Sequence, residues 1–306
     1  MVLLIVVFFL FVVSIMIGYV FAAKVVYPKR FGFEETYGIE IEKGRLIEEE
    51  YQSWTKEEVI LPSQFGYSIY GLYFPIEGSN KVIIFSHGIT YTLFGSVKYM
   101  KIFRNLGFNI FIYDNRYHGN SGGKNSTFGY YEKYDLKMIV DWIQQKVGSD
   151  EIIGTHGESM GAAISIQHAA IDPRIKFIIE DCSFSDLYDL LKHRIKMDFH
   201  LPDFPFLYLA NIGSKILTGM DFHKISPKKD VQNIHAPMLF IHGEQDDFIP
   251  VSMANELYEN KVSGPKKIYI ANNAKHATSF WDNQVEYESV VREFLVENHI
   301  VFKLDN

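Results

Sequence analysis

The chain is predicted to fold as an α/β protein on one mostly parallel, eight-stranded sheet flanked by helices, and three observations lead there. Short apolar runs alternate along the chain with helical stretches, and the runs lack the polar alternation of a strand with one wet face. One interval between two such runs is far longer than a connection needs. The 306 residues, 47% of them apolar, suffice for one large core without a second independent domain.

Residues 58–62 and 67–75 read as two edge strands, the second alternating through Ile69, Gly71 and Tyr73. Runs 81–86, 109–113, 151–155, 175–179, 237–241 and 267–270 suit strands buried on both faces. Helical stretches occupy 97–106, 131–147, 161–170, 252–258 and 284–297. Strand alternating with helix means crossover connections, and therefore parallel neighbours. Between the run ending near Glu180 and the one beginning at Pro237 lie more than fifty residues, where a βα connection takes about two to six. Within this insert 187–197 and 204–217 read as helices separated by Pro202 and Pro205, so 184–232 is expected to form a small helical cap. Leu190, Leu191, Phe199, Phe204, Phe206, Leu207, Tyr208 and Leu209 are candidates for an acyl pocket there, with most expected simply to hold cap to core.

Residues 1–30 are expected to form a separate unit. From Val2 to Ala23 no residue is charged, and a helix of that length rises about 33 Å, close to the ~30 Å hydrocarbon thickness of a bilayer. A single-pass membrane anchor is expected, because the run is long and no Lys or Arg precedes it; the alternatives are a signal segment cleaved near Val20-Phe21-Ala22, leaving a secreted protein, and a buried core helix, against which stands a run apolar on every face. Lys24, Lys29 and Arg30 follow the run, which by the positive-inside rule favours a cytoplasmic domain, whereas a signal-anchor would place it outside. Residues 31–56, polar and acidic, are expected to be a tether to the domain at 57–306.

Composition excludes several classes. The 30 basic and 37 acidic side chains give a formal charge of −7 without a basic cluster, and phosphate neutralisation supplies most nucleic-acid affinity, so no nucleic acid is expected as a partner. Cys182 is the only cysteine, so there is no intrachain disulfide. No His-Glu-x-x-His set is present, Arg116 lies among the acids and imidazoles of 114–118, and 119–123 lacks the Gly-Lys-Ser/Thr of a phosphate loop. Neither a metal nor another cofactor is expected, and nothing points to a protein partner.

The chemistry is carried by loops after the apolar runs. Gly157-Glu158-Ser159-Met160-Gly161 lies between a strand and a helix-forming stretch, the setting in which Gly-x-Ser-x-Gly makes a nucleophile elbow. His242-Gly243-Glu244-Gln245-Asp246-Asp247 follows another run, and Asn272-Asn273-Ala274-Lys275-His276 a third. A serine hydroxyl needs a base to take its proton, and the imidazole that does so needs a carboxylate to fix its tautomer. Ser159, His276 and a carboxylate at 246 or 247 meet those needs.

With Phe85-Ser86-His87-Gly88-Ile89-Thr90 and Asp114-Asn115-Arg116-Tyr117-His118-Gly119-Asn120-Ser121-Gly122-Gly123, the chain from about Glu57 onward resembles the α/β-hydrolase family. Within it the chain looks most like membrane-associated serine hydrolases of the Bem46 type and bacterial esterase-like or peptidase-like members. The resemblance implies a Ser159, His276, Asp246 triad, the register favouring Asp246, with Asp247 facing solvent or capping a helix. It implies an oxyanion hole of the Met160 and Ile89 backbone N–H groups, with Thr90 and Tyr91 as alternatives, and structural roles for His87, His118 and His242. The activity expected is hydrolysis of carboxylic esters or thioesters with apolar, lipid-like acyl groups through an acyl-enzyme. A serine peptidase of the prolyl-oligopeptidase-like type is the alternative, and a non-catalytic binding protein on the same fold is another.

Overall fold

The computed structural model describes residues 1–148 and 151–302; positions 149–150 and 303–306 of the expected domain lie outside the described residues. Eight strands form one sheet: β1 (Glu57–Pro62), β2 (Ser68–Phe74), β3 (Lys81–Ser86), β4 (Asn109–Tyr113), β5 (Ile152–Glu158), β6 (Ile175–Asp181), β7 (Met238–Gly243) and β8 (Lys266–Ala271), in the order β1-β2-β4-β3-β5-β6-β7-β8. From β4 to β8 every pairing is parallel, while β2 runs antiparallel to both β1 and β4. One expectation is corrected here. The segment read as a second edge strand, β2, lies inside the sheet, and burial of Gly71 to Phe74 follows from having neighbours on both sides.

Among the described residues, twelve α-helices accompany the sheet. They are α1 (Val2–Val26), α2 (Phe33–Glu42), α3 (Glu48–Ser53), α4 (Val97–Asn105), α5 (Glu132–Val147), α6 (Met160–Ala169), α7 (Leu187–Phe199), α8 (Phe206–Thr218), α9 (Pro227–Asp230), α10 (Ser252–Asn260), α11 (Ser279–Asp282) and α12 (Gln284–Glu297). Alternation along a strand sends successive side chains to opposite faces. In β3, Val82 and Ile84 join a core shared with Leu136 and Ile139 of α5 and Ile164 of α6, while Ile83 and Phe85 join one shared with Met100 and Phe103 of α4 and Val291 and Phe294 of α12. Two covered faces explain why these strands read as unbroken apolar runs.

The segment expected to be a tether is instead folded onto the domain. Phe33, Tyr37 and Ile41 recur at every fourth position of α2 and pack beside a buried core; the Phe33 ring lies 4.9 Å from Phe94, and Tyr51 of α3 lies 5.8 Å from Phe74. Glutamates at the other positions masked that stripe in a composition-based reading. One of them, Glu40, is itself buried, accepting a 2.6 Å hydrogen bond from Tyr91 Oη with Arg45 3.6 Å away.

Between β6 and β7 lie α7, α8 and α9. Asp186 caps α7 by accepting from the N–H groups of Tyr188 and Asp189. The apolar helix α1 reaches back to this region. Gly18, Ala22 and Val26, its buried residues, follow one another at every fourth position, and a β-carbon on Gly213 of α8 would lie 2.6 Å from the Gly18 carbonyl oxygen. Only glycines permit that approach of one backbone to the other.

Candidate active site

Pairing of β3 with β5 aligns Ser86 with Gly157, so the loop that follows β3 meets the turn that follows β5 at the carboxyl edge of the sheet. In that turn Ser159 adopts φ 56°, ψ −119°, a conformation unusual for any residue with a β-carbon. The turn is held by its surroundings: Ser159 N–H donates to the Asp181 carbonyl at 2.8 Å. Glycine is required on either side. A β-carbon on Gly161 would sit 1.9 Å from the Ser86 carbonyl oxygen, and one on Gly157 would sit 2.3 Å from that of Gly161.

Two further loops converge on Ser159. His276 follows β8 in a turn where Asn273 and Ala277 are left-handed, with φ 55° and 58°. Its Nε2 lies 3.0 Å from Ser159 Oγ and its Nδ1 lies 2.7 Å from Asp246 Oδ2. The other carboxylate oxygen of Asp246 accepts from Phe248 N–H at 2.9 Å and Ile249 N–H at 2.8 Å. His242 stands behind, its Nε2 2.8 Å from the Ile249 carbonyl and 3.3 Å from Asp246 Oδ2. Burial alone would raise the Asp246 pKa, but hydrogen bonds from His242 and His276 outweigh it and hold the carboxyl well below the usual range. A carboxylate kept ionised must accept the Nδ1 proton, which leaves Nε2 free to accept the serine proton. Asp247 takes no part: its carbonyl accepts from Arg194 at 3.2 Å.

The loop after β3 is fixed from behind by His87. Its Nε2 accepts from Asn115 N–H at 2.9 Å, so Nδ1 carries the proton and donates to the Gly88 carbonyl at 2.7 Å. Burial and the nearby His118 push the His87 pKa down to about 3, keeping the ring neutral. His118 in turn accepts from Thr90 N–H at 3.3 Å through Nε2, which leaves Thr90 committed elsewhere as an oxyanion donor. Met160 N–H opens α6 and so has no acceptor within its helix.

Comparison with known proteins decides the family. A family model described as the α/β hydrolase fold matches residues 81–215. The Bacillus subtilis (strain 168) protein YqkD is 38% identical over 283 residues, covering 92% of each chain. The chain belongs to the α/β-hydrolase family. A more distant relative of this α/β-hydrolase is the lysophosphatidylserine lipase ABHD12 of Danio rerio, 26% identical over 191 residues; the match takes in 60% of this chain and 48% of that one. Among solved structures, an esterase of Pyrococcus furiosus superposes with a TM-score of 0.66 at 25% identity, covering 81% of this chain and 93% of its own. Membership makes the protein a hydrolase of small-molecule substrates.

In this α/β-hydrolase Ser159 stands where two hollows meet. One, about 470 Å³, is lined mainly by apolar side chains, among them Phe128, Phe184, Leu190, Leu191, Ile195 and Leu207. The other, about 450 Å³, presents Glu40, Arg45, Tyr91, Lys98, Glu158 and Thr278. Ile89, Ser159 and Phe248 border both. Of the cap side chains expected at a pocket, Leu190, Leu191, Phe199 and Leu207 line the apolar hollow. Phe204 and Tyr208 face outward, whereas Phe206 packs 5.6 Å from Phe21 and Leu209 faces Gly18 of α1.

Sequence reasoning missed one wall of this hollow altogether. Phe21, Lys24, Val25, Tyr27, Pro28 and Lys29, from the end of α1 and the turn after it, border the same space as Ser159. It also missed the polar cluster below the elbow, where Lys98 pairs with Glu158 and Tyr99 Oη donates to Glu158 at 2.7 Å and to Asp181 at 3.1 Å. A single chain offers no spacing that would reveal that cluster. Cys182 lies nearby, its sulfur within 4.8 Å of ligand atoms of Asp246 and His276. Burial raises the thiol pKa well above its ordinary value, and a thiol that keeps its proton is a poor metal ligand; the set suits proton transfer better than a cation.

Beneath the site, burial raises Glu180 from 4.5 to about 8, and burial with the adjacent Glu158 charge raises Asp181 from 3.8 to about 6. Both groups keep their proton in the fold at pH values where the unfolded chain has released it, so their contribution is full below pH ~4 and is lost as pH rises through ~6 and ~8. Urea titration of the wild type is expected to show these two groups lowering stability from about pH 4 to about pH 8, with Glu180 alone responsible above about pH 6. Glu180→Gln should flatten that slope, and an unchanged slope would contradict the protonated Glu180.

Proposed function

We propose that the protein is a serine hydrolase of carboxylic esters or thioesters with apolar acyl groups, in which Ser159, His276 and Asp246 act as nucleophile, base and orienting acid. The observation that carries this reading is the chain of contacts Ser159 Oγ to His276 Nε2 to Asp246 Oδ2, at 3.0 and 2.7 Å. It stands where an apolar hollow meets a polar one, so an acyl chain and a polar alcohol each have a place.

His276 Nε2 takes the Ser159 proton as Oγ attacks the carbonyl carbon, and the negative charge moves to the carbonyl oxygen. Met160 and Ile89 N–H groups are the proposed donors to it, each worth about 10²- to 10³-fold in rate. A trans peptide sets its C=O and N–H on opposite sides, so the His87 ring, by holding the Gly88 carbonyl, turns the Ile89 N–H away from itself. The intermediate collapses, the C–O bond breaks, and His276 gives its proton to the leaving alcohol. Water then repeats the sequence on the acyl-Ser159 ester, releasing the acid.

Two relatives support esters. One is an esterase, and the other is a lipase of lysophosphatidylserine, a lipid with a single acyl chain and a polar head. We read α1 as a retained single-pass anchor that places such a substrate at hand: it is 25 residues long and none of its residues before Lys24 is charged. A panel of esters with two to sixteen acyl carbons, run beside matched peptide amides, tests the reading. Turnover is expected to favour esters by at least 100-fold with a preference for medium or long chains; amides turning over faster would make the protein a peptidase.

A further inference from the structure

The catalytic hollow and the membrane helix are the same piece of structure. Gly18 and Ala22 of α1 are buried where that helix meets α8. A β-carbon on Gly18 would lie 2.7 Å from the Leu209 carbonyl oxygen, so the two backbones touch there. Small residues at four-residue spacing bring helices together in this way in lipid, where packing replaces the hydrophobic effect. One turn further on, Phe21 and Val25 of α1 border the hollow that holds Ser159.

The outer surface of α8 continues the apolar surface of α1. Tyr208, Ile212 and Ile216, each four residues after the last, are 57%, 40% and 79% exposed, and Phe204, just before the helix, is 72% exposed with its ring 6.3 Å from that of Tyr208. Four large side chains in one exposed row exceed what a water-facing surface ordinarily carries. Ile212 and Ile216 also line the groove between the two helices, together with Phe11, Ile15, Gly18 and Leu217. The polar groups nearby are turned away: Ser14 Oγ donates to the Leu10 carbonyl at 2.9 Å, and Lys215, the one charged residue of α8, folds back onto Asp221 at 2.8 Å. At the opposite end of α1, Lys24 lies 5.5 Å over the Phe199 ring, at the mouth of the hollow. A cation there suits the anionic headgroups at the boundary of a bilayer.

We propose that the exposed row on α8, together with α1, lies in the apolar part of a lipid bilayer, and that the substrate's acyl chain enters the hollow from that bilayer between α1 and the end of α7. The entry step rests on the reading of Ser159 as a nucleophile; the docking of α8 does not. The occupant is hydrocarbon rather than a second protein because the row adjoins a helix that is apolar on every face. On this arrangement α1 is both anchor and pocket wall, and a chain cleaved near Ala22 would lose one side of its site.

The full-length chain reconstituted in phosphatidylcholine and phosphatidylglycerol vesicles tests this in two ways. Ile216→Trp, compared with the parent chain and its three native tryptophans, should emit at shorter wavelength and be quenched by brominated lipid. Tyr208→Glu/Ile216→Glu, two positions outside the hollow's lining, should leave hydrolysis of a water-soluble butyrate ester unchanged. The same variant should lower hydrolysis of a long-chain ester held in the vesicles at least tenfold. No quenching, or an equal effect on both esters, would overturn the proposal, as would crosslinking of Ile216 to a second copy of the chain without quenching. If the parent chain cleaves neither ester, the serine-hydrolase reading fails, and quenching alone decides whether α8 meets lipid.

Discussion

Ser159→Ala is expected to abolish labelling by a fluorophosphonate and to lower kcat/KM for esters by roughly 10⁴-fold or more, about 5.5 kcal/mol of transition-state stabilisation. The loss is large because no other hydroxyl is paired with His276 Nε2 among the described residues, and only Ser159 Oγ lies 3.0 Å from it. The fold should tolerate the change. Alanine keeps the β-carbon, and the bond that braces the elbow, Ser159 N–H to the Asp181 carbonyl, belongs to the backbone. A thermal melt within about 2 °C of wild type is therefore the expected control. Undiminished labelling of the variant would remove Ser159 from the mechanism.

Asp246→Asn should cost nearly as much, about 10⁴-fold in kcat, for a reason visible in the hydrogen bonds. One oxygen of Asp246 accepts two backbone N–H groups, from Phe248 and Ile249. An asparagine would keep its carbonyl there, and its amide NH₂ would then face His276 Nδ1 across the 2.7 Å contact. Nδ1 would have to become the acceptor, moving the ring proton to Nε2, where it blocks acceptance from Ser159. Asp247→Asn is the matched control, since Asp247 meets Arg194 only through its backbone. Its kcat should stay within about twofold of wild type; equal losses in the two variants would mean the carboxylate acts through local stability rather than tautomer.

What could be read from the chain follows physical lines. Strands β3 to β7 announce themselves because burial on both faces leaves nearly unbroken apolar runs, whereas β8, expected to be buried likewise, lies at the sheet edge and is only half-buried. The expected ends of β3 and β4 match, but three strands run on past their apolar stretch. Glu158, Asp181 and Gly243 continue β5, β6 and β7, and polar residues there are buried by converging loops that local composition does not register. The juxtaposition of Ser159, His276 and Asp246 was legible because each sits just past a recognisable strand. The packed helices α2 and α3 were not, since their aromatic anchors are outnumbered by acids. Least legible was the part played by α1. A uniformly apolar helix has no periodicity to show which of its sides will meet the rest of the protein.

That meeting has a consequence for how the enzyme is made. Gly18 leaves the ribosome about 195 residues before Gly213, its neighbour across the seam, and closing a span of that length carries an entropic penalty of about 4–5 kcal/mol. The sheet up to β6 exists as nascent chain before α8 is available to dock, so the substrate chamber closes late in biogenesis, on a helix that was synthesised first.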